Sequence, residues 1–160
     1  MTKYHMRRKE KEITEKDLLN TIIIEGKYVT ISMCRKDEPY IVSLSYGYDQ
    51  DKNCLYFHCA NEGLKIDFIK TNPLVCATII KDRGYKMNEC DHAYQSIVMR
   101  GKLISIENLE EKKHGFDVLI SHLEENTDRM KKKHLNNEKS YVNTCILRLD
   151  IEEISGKVNN

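Results

Sequence analysis

The stretch Leu55-Tyr56-Phe57-His58-Cys59-Ala60-Asn61-Glu62-Gly63-Leu64-Lys65 changes its period midway. Up to Ala60 it is apolar and aromatic, as a buried strand is. From Gly63 to Lys70 the apolar residues fall three and four apart, Ile66 with Ile69 and Leu64 with Phe68, as on a short helix. Asn72-Pro73 ends that helix. A helix start offers unpaired N–H groups and a partial positive charge. Lys65 adds a full charge in the first turn, and Gly63 lets a ligand approach the backbone. The combination suits a phosphate, although the spacing by itself favours the plain start of a solvated helix. His58, near the end of the strand, fits either a half-buried histidine bonded to backbone or a ring-stacking, proton-handling group.

Upstream of this turn, Thr14 to Gly26 reads as a helix with Thr14 as its cap and Leu18, Leu19, Ile22 and Ile23 as its apolar stripe. Tyr28–Met33 and Tyr40–Tyr48 alternate as two strands joined by the polar turn at residues 35–38. With Cys54–Ala60 they form an antiparallel meander. Downstream, Leu74–Ile80 reads as a buried strand, residues 81–92 as a polar loop and Gln95–Glu107 as another strand. Asn108 to Glu111 has the form of a capping box before the helical face of Leu109, Phe116, Leu119, Ile120 and Leu123. Residues 125–140 read as a loop, and Tyr141–Ile151 as the last strand. The expected fold is mainly β (α+β): a six-stranded antiparallel barrel with short flanking helices.

The chain has 160 residues, 40% hydrophobic and 32% charged, with a formal net charge of +1. That is one ordinary globular domain, 1–160, with residues 1–12 expected as a flexible arm. Its near-neutral charge gives no field to draw nucleic acid or anionic lipid. Lys131-Lys132-Lys133 reads as solvated loop. No apolar run is long enough to span a bilayer, and the charged N-terminal segment does not read as a secretory signal. Six cysteines without a C-x-x-C pair argue for reduced, buried thiols in a cytoplasmic protein rather than a metal site. Cys59 could be redox-active, but no neighbouring cysteine is placed to resolve it, which favours a buried structural thiol. His114 and His122, two helical turns apart, could share a face, but no intervening ligand completes a metal site.

The segment Leu55–Lys65, followed by Asp67, Asn72-Pro73 and Val75-Cys76, resembles the nitroimidazole-resistance branch of the pyridoxamine 5′-phosphate oxidase-like flavoproteins. The resemblance extends in order to Met6–Lys9 with Ile13, Pro39–Asp49, Tyr94–Val98 with Gly101, and Arg148–Lys157. It implies a split β-barrel and a homodimer holding FMN in the cleft between subunits. Ile41, Val42, Ser43, Leu44, Ser45 and Tyr46 would then pass the flavin ring. His58, Cys59, Gly63, Leu64 and Lys65 would serve the phosphate and ribityl chain. Tyr94 and Ser96 would approach from the later strand, and His58 would be the candidate catalytic group. The implied activity is a flavin-dependent oxidoreductase that reduces small aromatic or nitro compounds with a nicotinamide donor. Split barrels of this kind also serve as non-catalytic flavin- or haem-binding sensors or carriers.

Three departures accompany the resemblance. Leu64 stands where the oxidases usually carry an Arg beside the phosphate Lys, Ser43 where the branch often has Pro, and the link from Cys90 to Tyr94 is short and lacks Trp. The end of the chain lacks the basic, aromatic substrate segment of true pyridoxamine phosphate oxidases, so that reaction is not expected.

Overall fold

A computed structural model describes residues 6–160. Its strands are β1 (Glu12–Ile13), β2 (Tyr28–Arg35), β3 (Glu38–Ser45), β4 (Gly47–Asp49), β5 (Cys54–Cys59), β6 (Leu74–Lys86), β7 (Asp91–Ile106) and β8 (Cys145–Asn159). The helices are α1 (Lys16–Glu25), α2 (Leu64–Thr71), α3 (Leu109–Leu123), α4 (Thr127–His134) and α5 (Glu138–Val142). All pairings are antiparallel. The strands follow the order β3-β2-β6-β7-β8-β5-β4, with β1 also on β8.

The two ends of that path explain the curvature. β3 and β4 are its opposite edges, yet only Tyr46 separates them in the chain. The sheet must therefore curl until its edges meet, which makes a barrel whose hydrogen-bonded ladder stays open at Tyr46. One face of each long strand lines the interior: Val29, Ile31 and Met33; Val75, Ala77 and Ile79; Ile97 and Met99; Leu147, Leu149 and Ile151; Leu55 and Phe57. This is the period-two burial expected of strands with one face in the core. Ile22 and Ile23 of α1, and Ile66, Phe68 and Ile69 of α2, complete the same core. Tyr46 is fully buried at the seam and donates its hydroxyl to Ile23 O at 2.6 Å. A second cluster, Cys54, Tyr56, Ile106, Phe116 and Ile146, forms where α3 covers the outer face of β5 and β8.

Several expectations change. The sheet has eight strands rather than six, because the run read as Tyr40–Tyr48 changes pairing partner at Tyr46 and β1 adds a short pair. Residues 81–92 are not a loop. They extend β6 and β7 as a solvent-exposed hairpin, with Asp82 opposite Tyr94 and Tyr85 opposite His92. Exposure on both faces removes the apolar alternation that marks a strand. Residues 125–140 hold α4 and the start of α5, capped by Asn126 and Asn137 side chains. Tyr141 and Val142 close α5, and the last strand begins at Cys145 and runs on to Asn159. Of the expected N-terminal arm, residues 1–5 lie outside the described residues. Met6 is buried, and β1 pairs Glu12 with Lys157. Thr14 does not cap α1, whose N-cap is Glu15. Asn108 does cap α3, accepting from Glu111 N at 3.0 Å.

Candidate functional site

At the β5–α2 turn, Gly63 is the N-cap of α2 with φ 122° and ψ 172°. Side chains almost never adopt that conformation, so glycine is required by the backbone. The space above it is open: a Cβ built there has no atom within 4 Å. No side chain caps the helix. The N–H groups of Ile66 and Asp67 turn back to Gly63 O at 2.9 and 3.2 Å. Those of Leu64 and Lys65 take no protein acceptor among the described residues, as expected of the first turn. Buried Ile66, Phe68 and Ile69 fix the helix against the barrel. Leu64 is exposed, while Lys65 is half-buried and makes no ion pair among the described residues. Asn61 Nδ2 donates to Asn143 O at 2.8 Å and ties the turn to the approach of β8.

The other expected site residues divide into three places. On β3, Ile41, Ser43 and Ser45 point outward and are exposed, while Val42 and Leu44 pack against the core. Tyr46 is committed to the core, and burial pushes its hydroxyl well above the usual phenol range. The outward set continues across the sheet: Thr30 opposes both Ser43 and Thr78, and the Thr30 and Ser43 hydroxyls lie 2.8 Å apart. Tyr94 and Ser96 share this face, around a cavity of about 370 Å³ with Thr78, Ile80, Asp82 and His92. His58 lies elsewhere. It shares the parity of Cys54 and Tyr56 on β5, so it points to the outer, α3 side. There it lines a cavity of about 410 Å³ with Phe116, Leu119, Met130 and His134. Cys59 points the opposite way, toward the core and the turn carrying Lys65.

Thr30 and Thr78 on the outward sheet face and Cys145, the register partner of Cys59, carry no mark in the sequence pattern. The only signal for them was strand register, which alternation within one strand does not contain.

His114 and His122 of α3 do share a face and line a cavity of about 540 Å³ with Tyr48, Lys27 and Asp117. Each is already engaged. His114 Nε2 lies 2.6 Å from Asp49 Oδ2, and His122 Nε2 lies 2.6 Å from Gly26 O. Among the described residues no group of three or more ligands could hold a metal. Burial alone would raise the Asp49 carboxyl, but hydrogen bonds from His114 and the Lys52 N–H outweigh it and hold it low. His122 moves down from its ordinary value because burial disfavours its charged form, against the opposing pull of the Gly26 carbonyl. Below about pH 6.5 the unfolded chain therefore takes up a proton that the folded chain resists, so stability falls on acidification. The urea midpoint should drop between about pH 7.5 and 5.5, and drop less in His122→Gln. Equal drops in both proteins would refute the assignment.

The fold and this site define a split-barrel protein with an open, cationic helix start beside its core. The chain belongs to the pyridoxamine 5′-phosphate oxidase family, whose model matches residues 15–158. A Bacteroides thetaiotaomicron protein assigned provisionally to 5-nitroimidazole antibiotic resistance is 26% identical, over 92% of this chain and 86% of its own, with a TM-score of 0.76. A flavocytochrome of Azotobacter vinelandii superposes with a TM-score of 0.82 at 14% identity, covering 98% of this chain and 73% of its own. An FAD- and haem-binding protein of Mycobacterium smegmatis does so at 0.77 and 17%, covering 94% and 74%. At those identities the last two speak to the fold. No curated protein sequence matches the chain. Among the described residues no helix is long and apolar enough to cross a membrane.

Proposed function

We propose that this protein binds FMN between two copies of itself and uses it to pass electrons from a nicotinamide donor to small aromatic or nitro compounds. The observation that carries the reading is the β5–α2 turn: among the described residues it has two free N–H groups, an unpaired half-buried lysine and open space above a glycine that the backbone requires. A phosphate fits that set by charge and by hydrogen bonding. β3 is an edge of the sheet path, so its outer backbone groups are available to the polar rim of a flavin ring. Tyr28, Ile41 and Ile80 expose 62%, 65% and 61% of their surface on the same sheet face as the Ser43 and Ser96 hydroxyls. Such apolar exposure suits a second copy of the chain, which would bring its own Tyr94 and Ser96 to the ring.

Bound FMN would supply the redox chemistry, and the chain's work would be to hold the phosphate with Lys65 and orient the ring along Ile41–Ser45. Leu64 removes one cation from that work, so the helix N–H groups carry more of it. The nitroimidazole-resistance relative supports the choice of nitro compounds as acceptors.

A second reading, a haem-binding carrier or sensor, is favoured by the cavity that holds both His58 and His134 beside Met130. It is also favoured by the haem named for one structural relative. The absorbance spectrum of the purified protein, followed by titration with FMN and with haem, separates the two. Flavin bands with saturable FMN binding are expected. A Soret band with no flavin binding would replace the first reading by the second, and neither ligand binding would sink both. NADPH or NADH oxidation by the FMN-loaded protein with a nitro acceptor then tests the reaction.

A further inference from the structure

Cys59 is the last residue of β5, Cys145 the first of β8, and the two are register partners. Antiparallel partners hold their Cα atoms about 4.5–5.5 Å apart, within the span of about 4.4–6.8 Å that a disulfide bridges. Cys145 belongs to the barrel core and half-buried Cys59 packs against it, so the two side chains lie on the same face of the sheet. None of the other cysteines has such a partner. Cys54 opposes Asp49 and Asp150, Cys76 opposes Ser32 and Arg100, Cys34 opposes Pro39, and Cys90 sits in the β6–β7 turn.

The surroundings of the pair favour a thiolate. Ser105 Oγ lies 3.5 Å from Cys145 Sγ. Lys112, a buried lysine of α3, reaches Thr144 O at 3.4 Å, next to Cys145 in the chain. Lys65 lies on the Cys59 side. The Cys59 thiol opposite it, helped by Ser105 and Lys112, draws Cys145 below the ordinary thiol range against its own burial and Glu107. Cys145 in turn, together with burial, pushes Cys59 up. Register pairing thus sets the Cys59 thiol opposite a Cys145 sulfur whose neighbours, Ser105 and Lys112, favour the thiolate. Cys145 is only 4% exposed, and Cys59 is more open, so access suits a small oxidant.

We propose that Cys59 and Cys145 are a dithiol redox site, oxidised to an intramolecular disulfide by hydrogen peroxide or a small organic hydroperoxide. With hydrogen peroxide, the thiolate sulfur attacks one oxygen, the O–O bond breaks, and the leaving hydroxide takes a proton to become water. The resulting sulfenic acid is attacked by the second thiol: the S–S bond forms, the S–O bond breaks, and a second water leaves. Two thiols are oxidised to one disulfide, and one peroxide is reduced to two waters. The disulfide joins β5 to β8 at the root of the turn that carries Gly63 and Lys65. It needs no flavin, so its failure and the failure of flavin binding are separate results.

The test treats the purified full-length protein with hydrogen peroxide, blocks remaining thiols under denaturing conditions, and maps the peptides by mass. The expected result is a Cys59–Cys145 cross-linked peptide that dithiothreitol removes, with Cys34 and Cys90 dispensable for it. Cys59→Ser and Cys145→Ser should each abolish the cross-link, with circular dichroism confirming the fold. Because the wild-type map decides by itself, a misfolded variant does not rescue or sink the idea. Two results would overturn it: Cys59 and Cys145 both alkylated after peroxide, or Cys145 carried to a sulfinic acid with no cross-link.

Discussion

Gly101→Ala is expected to leave little or no folded protein. Gly101 sits in β7 at the one register shift of the β7–β8 ladder: Arg100 opposes Glu153 and Gly101 opposes Ile151, so Glu152 is bulged out of the pairing. A Cβ at Gly101 would lie 1.8 Å from Asp150 O, 2.9 Å from Asp150 C and 3.3 Å from Glu152 N. All three are backbone atoms, and no rotamer change clears them. The strands would have to part where the barrel's two longest strands meet, with Met99 and Leu103 on one side and Leu149 and Ile151 on the other. Overpacking that side chains can absorb costs about 1–3 kcal/mol. A backbone clash at a buried bulge belongs to the tail of single-mutant effects, about 4 kcal/mol or more. A domain of this kind has about 5–15 kcal/mol in all. Urea unfolding followed by circular dichroism measures it. A Gly101→Ala protein with an unshifted midpoint would show that the bulge has more room than its geometry allows.

That bulge marks a boundary of what the sequence can show. Leu147, Leu149 and Ile151 alternate in the sequence and lie in the core, because period-two burial is a local property of each strand. The strand-to-helix change at Ala60–Gly63 was legible for the same reason, as was the Asn108 cap. The seam at Tyr46 was not. Alternation continues unbroken from Tyr40 to Tyr48, and only the identity of the pairing partner changes there. The exposed hairpin of residues 81–92 and the helix α4 lacked an apolar face, so pattern had nothing to detect. At the candidate site, Gly63 and Lys65 were legible as a helix start. That His58 and Cys59 face opposite ways follows from alternation as well. What each then meets, α3 and His134 for one and Cys145 for the other, depends on register and on the packing of α3 and α4. No single segment encodes either.

Lys65→Ala is expected to weaken FMN binding by about 10- to 100-fold while leaving riboflavin binding unchanged. FMN and riboflavin share a ring and differ by a phosphate. A charge-assisted bond from a half-buried ammonium contributes about 1.5–3 kcal/mol, and about 1.4 kcal/mol is tenfold in Kd. Lys65 makes no ion pair among the described residues, so nothing inside the protein has to be given up when a phosphate arrives. For the same reason its removal should barely change stability. Riboflavin meets only the ring-binding edge of β3, so it reports whether the variant still holds that surface. Leu64→Arg makes the opposite change and adds a cation. Leu64 is 47% exposed at the first position of α2, so an arginine fits without repacking. It should tighten FMN about 3- to 10-fold, with an effect that fades as salt rises. Fluorescence quenching of each flavin on titration measures both variants. If Lys65→Ala weakens FMN and riboflavin equally, Lys65 acts on the ring or on the fold, and the phosphate belongs elsewhere. If neither changes, the β5–α2 turn is a helix start and no more.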